Sequence, residues 1–323
     1  MAILSYVPAP APSVMHQVLE GLRTRHGWAV NRNEVQWIWR QWRWLIGLPA
    51  HVGFVAVDQA GWVRLEHEAA LVQALQPAVG DRLPPVTVHD PQIRLHLRQR
   101  VPGLVGHDVE RLVFGLPALP PSQDRYLDGC PLTPAGARFA EDLGRTLAQV
   151  HASVPVSQAR GLGLAARTAA TTLDAAGRVL VDHVQAPTLR NAFEHLRRWW
   201  AQRTYDSVPV HGDPHLFNVV VDPGNGSLRA LLDLDEAHLG AREEDLRYLC
   251  SNGVPFARRA LAAYRETAGV DVDETEEWRF HVRAAVEHLA WVPVHAPRFP
   301  HIVAWAQAAI DALAPRWRRP LPH

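Results

Sequence analysis

Val210-His211-Gly212-Asp213-Pro214-His215-Leu216-Phe217-Asn218-Val219-Val220-Val221-Asp222, continued by Pro223-Gly224-Asn225-Gly226-Ser227 and by Leu228 to Asp235, is the stretch on which the reading of this chain turns. Three valines, a turn cluster containing Asn-Gly and a leucine-rich run predict a β-hairpin. With Asn225-Gly226 as a two-residue turn, Gly224 pairs with Ser227. Asp222 then faces Arg229 as an opposite-charge cross-strand pair, and Asn218 faces Asp233. An amide oxygen and a carboxylate on one sheet face are hard donors suited to sharing a cation such as Mg²⁺, and a slip of one residue would part them. Asp213 lies five residues before Asn218, in a loop fixed by Gly212 and Pro214. A carboxylate there would orient a hydroxyl or accept its proton beside a metal-held phosphate.

The rest of the chain narrows the setting. Its 323 residues are 47% apolar and 20% charged, which excludes a disordered or fibrous protein. Basic and acidic residues balance at 33 each, so no excess of positive charge marks a nucleic-acid binder. Every one of those basic residues is an arginine. The absence of lysine rules out a Walker A phosphate loop and Schiff-base chemistry. Two cysteines, Cys130 and Cys250, make neither a disulfide framework nor a structural zinc site. No run approaches the length of a membrane span, and Met1 to Ser13 lacks the basic start of a secretory signal. A soluble cytoplasmic protein with no nucleic-acid or membrane partner is expected; the oligomeric state is left open.

Hydrophobic spacing predicts a helix over Val14–Arg25, about three strands between Trp28 and Asp58, a helix over Val63–Gln76, and strands near Val86–His89 and Ile93–Val101. Beyond Gly103 the pattern turns helical, clearest at Pro134–His151, Leu189–Gln202, Pro255–Thr267, Thr275–Trp291 and Ile302–Leu313. The fold class is therefore α+β in two lobes: a small antiparallel sheet with one internal helix over residues 1–101, and a larger helical lobe over 102–323.

His211-Gly212-Asp213-x-x-x-x-Asn218, then Leu231-Leu232-Asp233, Gly240 and Asp245-Leu246, resembles the aminoglycoside phosphotransferase and choline-kinase-like family, which has a protein-kinase-like fold. Weaker matches flank this block at Glu68-Ala69-Ala70-Leu71, at Leu97–Gly103 and at Leu143–His151, so the resemblance runs from about Trp28 to Ala268. It implies an ATP-dependent transfer of the γ-phosphate to a hydroxyl of a small molecule, with Mg²⁺ as cofactor and GTP as an alternative donor. By the same resemblance Asp213 is the catalytic aspartate, and Asn218 and Asp233 hold Mg²⁺. Asp245 braces the catalytic loop with His211 as structural support, and Glu68 serves the nucleotide phosphates. Backbone groups of Gln99, Arg100 and Val101 would meet the adenine. Asp235 and Glu236 are candidate substrate contacts. The acceptor stays open among antibiotics, sugars and amino alcohols.

One departure from the family stands out. Glu68 should pair with a strand lysine, and Val52 to Val57 offers only Val, Gly, Phe and Ala. Arg40, Arg43 and Arg64 are the candidates to supply the charge, although a guanidinium fork is not a compact ammonium. No glycine-rich phosphate loop is evident. The missing lysine supports a rival reading, a pseudoenzyme that binds nucleotide without turnover. A second rival is a metallohydrolase built on His211 and His215, with Asp233, Asp235 and His238 downstream. The acidic run Asp271–Glu277 reads as a helix cap more readily than as a pocket for a cationic substrate. The tryptophans Trp37, Trp39, Trp42 and Trp44 read as packing more readily than as a stacking platform.

Overall fold

A computed structural model of the chain describes residues 10–28, 30, 35–40, 42–115, 131–166, 170–184 and 186–317; Cys130 and the side chains of Trp39 and Arg40 lie outside the described residues. The first hundred residues form a mixed unit. Helix α1 (Pro12–His26) precedes a meander of β1 (Gln36–Arg40), β2 (Arg43–Gly47) and β3 (His51–Ala56). Helix α2 (Gln59–Val79) interrupts it, and β4 (Val86–Asp90) and β5 (Leu95–Gln99) complete an antiparallel sheet of order β1-β2-β3-β5-β4. Alternation along the strands gives this sheet two different faces. Trp44, Ile46, Val55, Leu95 and Leu97 pack with Val18 and Leu22 of α1. Arg43, Phe54, Ala56 and Arg98 occupy alternate positions, so they point to the face that α2 covers.

Helix α2 starts at an Asp58 cap, whose carboxylate accepts from Gly61 N at 2.7 Å. Its Trp62 and Leu65 pack with Ala56. Leu71, Val72, Leu75 and Val79 instead join the larger core of the helical remainder. The helix therefore belongs to both hydrophobic cores, and its Glu68, buried between them, has a fixed position relative to each.

After the segment Pro102–Gly106 the chain is largely helical, through α3 (His107–Phe114), α4 (Pro134–Ala152), α5 (Val156–Gly161), α6 (Ala170–His183) and α7 (Pro187–Gln202). Between α7 and the last helices lie two small ribbons, β6 (Val208–Val210) with β9 (His238–Gly240), and β7 (Val219–Val221) with β8 (Leu228–Leu231). Helices α8 (Glu243–Cys250), α9 (Val254–Ala268), α10 (Glu274–Trp291) and α11 (Phe299–Trp317) follow. Among the described residues no helix is long and apolar enough to cross a membrane.

The hairpin forms where expected, but its register differs. Val219 pairs with Leu231 and Val220 with Ala230, while Val221 pairs with Leu228, so Arg229 is the extra residue of a bulge. The turn is longer than two residues, because the Asp222 carboxylate accepts from Gly224 N and Asn225 N at 2.7 and 3.0 Å and draws Pro223 into the loop. Asp222 and Arg229 still form an ion pair, with Arg229 Nε 2.9 Å from Asp222 Oδ2. Asn218, however, lies opposite Leu232, whose N–H it accepts at 2.7 Å, and not opposite Asp233.

Candidate active site

The loop after β6 is held by its own backbone. Asp245, in the first turn of α8 and wholly buried, accepts from His211 N and Gly212 N, each at 2.7 Å. His151, at the end of α4, lies 3.0 Å from the same carboxylate through Nε2 and 2.8 Å from Tyr264 Oη through Nδ1. Burial works against the charge of Asp245, and the His151 and backbone donors outweigh it, holding the carboxyl below its usual range. His211 accepts from Asp213 N through Nδ1 at 3.2 Å, so Nε2 carries the proton donated to Leu232 O at 2.8 Å. Gly212 sits at φ +87°, and a Cβ there would stand 2.2 Å from Glu236 O. The loop and the Leu234–Glu236 turn approach closely because this position has no side chain.

Asp213 follows in a nest of polar partners. His215 Nε2 is 3.2 Å from its Oδ2, and Asn218 Nδ2 donates to its backbone oxygen at 2.9 Å and to Oδ2 at 3.3 Å. Burial raises the pKa of Asp213, but hydrogen bonds from His215 and Tyr248 more than offset it, so the carboxylate is ionised at neutral pH. Because Asn218 donates through Nδ2 to Asp213, Oδ1 is its remaining acceptor. Asp233 leaves β8 in the left-handed region, at φ 64°, and lines the same cavity as Asp213. The direct cross-strand pairing is lost: Asn218 bonds to Asp213, while Asp233 lines the cavity beside Asp213 and bonds to Arg43.

Guanidinium groups from two strands reach Glu68. Arg43, at the start of β2 and buried, donates Nη1 to Glu68 Oε2 at 3.1 Å and Nη2 to Asp233 Oδ1. Arg98 of β5 approaches the other oxygen of Glu68, Nη2 to Oε1, at 3.1 Å. Both guanidiniums lie over Phe54 of β3, at 4.9 and 5.2 Å from its centroid. Phe54 fills the strand position between them, and arginines from two other strands reach around it. Glu68 also accepts from Leu234 N at 3.2 Å. Burial raises its pKa, and Arg98 and Arg43 overcome that and bring it below the usual value. Arg40 is not described beyond its backbone, and Arg64 lies over Trp42, 5.4 Å from the ring. Arg98 was not among the candidates read from sequence; its signal was its alternation with Leu95 and Leu97 of β5.

Asp213 and Asp233 line a cavity of about 470 Å³, closed on one side by Trp42 and Arg43 and on the other by α8 and the end of α10. Asp235 lines it too, accepting from Trp42 Nε1 at 3.0 Å; burial holds its pKa above the usual value. Glu236 borders it on the same side. Trp42 is therefore a site residue, whereas Trp44 and Trp37 pack with the α1 face of the sheet. Gln99, Arg100 and Val101 stand at the end of β5, where Arg100 N donates to Ala50 O at 2.9 Å. The acidic run is structural: Asp273 caps α10 by accepting from Thr275 N at 2.8 Å, and Glu276 accepts from Trp199 Nε1 at 3.2 Å. The imidazoles of a metallohydrolase are already engaged, His211 as above, His215 with Asp213 and Phe217 N, and His238 with Glu244 Oε2 and Glu236 O.

A sequence profile of the phosphotransferase enzyme family matches residues 64–281, two-thirds of the chain and every cavity-lining residue except Trp42, Arg43, His288 and Trp291. The chain belongs to that family. Among solved structures, the GDP complex of a mutant aminoglycoside 2'-phosphotransferase-IIIa superposes with a TM-score of 0.68 at 16% identity, over 94% of this chain and 98% of that one. Apo macrolide 2'-phosphotransferase MphH from Brachybacterium faecium gives 0.63 at 19% identity, over 97% and 100%. The streptomycin–ATP ternary complex of APH(2")-IIa gives 0.62 at 14%, over 95% and 99%. At such identities the likeness speaks to the fold, and the phosphotransferase family fold is what the sheet, α2 and the helical remainder make. No curated protein sequence matches this chain.

Proposed function

We propose that this phosphotransferase moves the γ-phosphate of a nucleoside triphosphate to a hydroxyl of a small molecule in the cytoplasm, with residues 1–101 as the nucleotide lobe and 102–323 as the catalytic and acceptor lobe. The observation that carries the proposal is Asp213, ionised and locked by the Asp245 brace, facing one cavity with Asp233 and bonded to Asn218. Asp213 aims the acceptor hydroxyl and takes up its proton as the phosphate is transferred. Asn218 Oδ1 and Asp233 fit Mg²⁺, since both are hard oxygen donors in the family positions. When bound there, Mg²⁺ neutralises phosphate charge. Glu68 positions Arg43 and Arg98 so that guanidinium charge stands where the family uses a lysine. Backbone groups at Gln99 to Val101 receive the base, and Asp235 and Glu236 border the acceptor. ATP is the expected donor, with GTP a close alternative in view of the GDP complexes among the neighbours.

Two measurements test this. Mg-ATP or Mg-GTP is expected to raise the melting temperature of the protein, as ligands that bind only the folded state do, and Asp233→Ala is expected to abolish the Mg²⁺-dependent part. A protein indifferent to both magnesium nucleotides would remove the proposal. Radiolabelled γ-phosphate transfer across antibiotics, sugars and amino alcohols then looks for turnover.

The pseudoenzyme reading is favoured by one observation, the Arg43 guanidinium on Asp233, a carboxylate the reaction needs. Arg43→Met separates the two. If Arg43 replaces the lysine, nucleotide affinity falls about 10- to 100-fold, the worth of one or two charge-assisted hydrogen bonds. Tighter magnesium-nucleotide binding by the variant would mark Arg43 as a plug and support the pseudoenzyme.

A further inference from the structure

The wall of the cavity opposite the sheet is chemically distinct from the rest. Arg247 and Tyr248 of α8 and His288 and Trp291 of α10 form it. Arg247 donates Nη2 to Tyr248 Oη at 3.1 Å and lies 4.8 Å from the ring centroid of that tyrosine. Its Nε is enclosed without a hydrogen-bond partner. Among the described residues no carboxylate lies within ion-pair distance of its guanidinium. The two acids whose fields it feels are paired elsewhere, Glu244 with His238 at 3.0 Å and Glu287 with Arg283 at 3.0 Å. His288 donates Nδ1 to Ala284 O at 2.8 Å and burial lowers its pKa, so it adds no second cation. The acids of the cavity lie on its other side, Asp233 bonded to Arg43, Asp235 to Trp42 and Asp213 to His215, with Glu236 bordering it there as well.

A partly buried guanidinium with no carboxylate at ion-pair distance gains from a ligand that supplies one, and its fork is matched by carboxylate or phosphate oxygens. Here the cation shares a cavity of about 470 Å³ with Asp213, and the indole of Trp291, 57% exposed, stands beside it. That volume suits a small molecule.

We infer that the acceptor is a small hydroxylated anion, a hydroxy carboxylate or a sugar phosphate, whose anionic group is held by Arg247 while its hydroxyl meets Asp213. This rests on the phosphotransferase reading above and names the acceptor class of that same site. In the transfer, the acceptor O–H proton passes to Asp213, the acceptor oxygen bonds to the γ-phosphorus, and the bond to the β-phosphate bridging oxygen breaks to leave nucleoside diphosphate.

The experiment uses the full chain and matched acceptors: a hydroxy carboxylate, its methyl ester, an amino alcohol of similar size, and a sugar phosphate with its parent sugar. Binding is measured by calorimetry with a non-hydrolysable magnesium nucleotide present, and transfer by labelled γ-phosphate. At least one anionic member is expected to exceed its uncharged partner in affinity and in kcat/KM by about 10- to 100-fold. Whether the carboxylate or the phosphate pair shows the gap identifies the anion. Arg247→Gln is expected to collapse that ratio and Arg247→Lys to retain part of it. Preference for uncharged or cationic members, no binding of any anionic member, or an unchanged ratio in Arg247→Gln overturns the inference. If Arg247→Gln does not fold, the comparison on the native chain decides alone. Melting-temperature shifts with magnesium nucleotide, taken on the same sample, test the phosphotransferase reading separately: a normal shift with no anion preference rejects only the acceptor class.

Discussion

Asp213→Asn is expected to slow phosphoryl transfer about 10²- to 10⁴-fold, the usual worth of a positioned acid–base group, while leaving nucleotide affinity nearly unchanged. The substitution preserves shape, and an amide oxygen can still accept from His215 and Tyr248, the two groups that hold Asp213 ionised. What it removes is the negative charge that draws a hydroxyl proton. The neighbouring Asn218–Asp213 backbone bond, 2.9 Å, does not involve the altered atoms and should keep Asn218 in place. Steady-state kinetics on any accepted substrate, paired with nucleotide titration, provide the check. Transfer at a rate near that of the native chain would take Asp213 out of the reaction.

The second large effect concerns stability. Asp245→Ala strips the acceptor from His211 N, Gly212 N and His151 Nε2 at a position with no access to water. Removing one partner from such a buried charged cluster costs about 3–5 kcal/mol, a large fraction of the roughly 5–15 kcal/mol that keeps a domain folded. Urea titration followed by circular dichroism should show a much lower midpoint with a similar slope. Acid tests the same carboxylate. Its folded pKa lies below the ordinary 3.8, so its contribution is complete above that value and is lost as pH falls through the folded pKa. The stability gap between native chain and variant should therefore be flat through the neutral range and narrow below about pH 4. A gap that widened on acidification would assign the stabilisation to another group.

Much of this was legible in the residues because it rests on local rules. Alternation and turn chemistry placed the strands and the hairpin, and the spacing from Asp213 through Asn218 to Asp233 located the cavity that Asp213 and Asp233 line. The hairpin register was misread because Asp222 organises a longer turn with its side chain, and Arg229 bulges to accommodate it. Neither event shows in an Asn-Gly pair. The arginine cluster at Glu68 was only partly readable. Arg43 was one of three candidates, but choosing it requires knowing that β2 and β5 flank β3, which is a tertiary fact. Arg98, His151 and Tyr248 were missed for the same reason. Their partners lie far along the chain, and nothing near them in sequence announces a hydrogen bond 94 residues away, as between His151 and Asp245.

The segment that leaves the sheet is itself stitched to the hairpin: Leu104 exchanges both backbone hydrogen bonds with Val221, at 2.8 and 3.0 Å, and Gly103 lies so close that a Cβ would meet Val221 O at 2.6 Å. Any rocking of the sheet against the helices must then pivot about a point riveted to the strand that begins next to Asn218. Such a motion leaves the spacing of Asn218 and Asp213 undisturbed and is felt at the far end of the lever, where Arg43 meets Asp233. Opening and closing would thus load the bonds that cross there, Arg43 to Asp233, Trp42 to Asp235 and Leu234 N to Glu68, without recalibrating the chemistry below them.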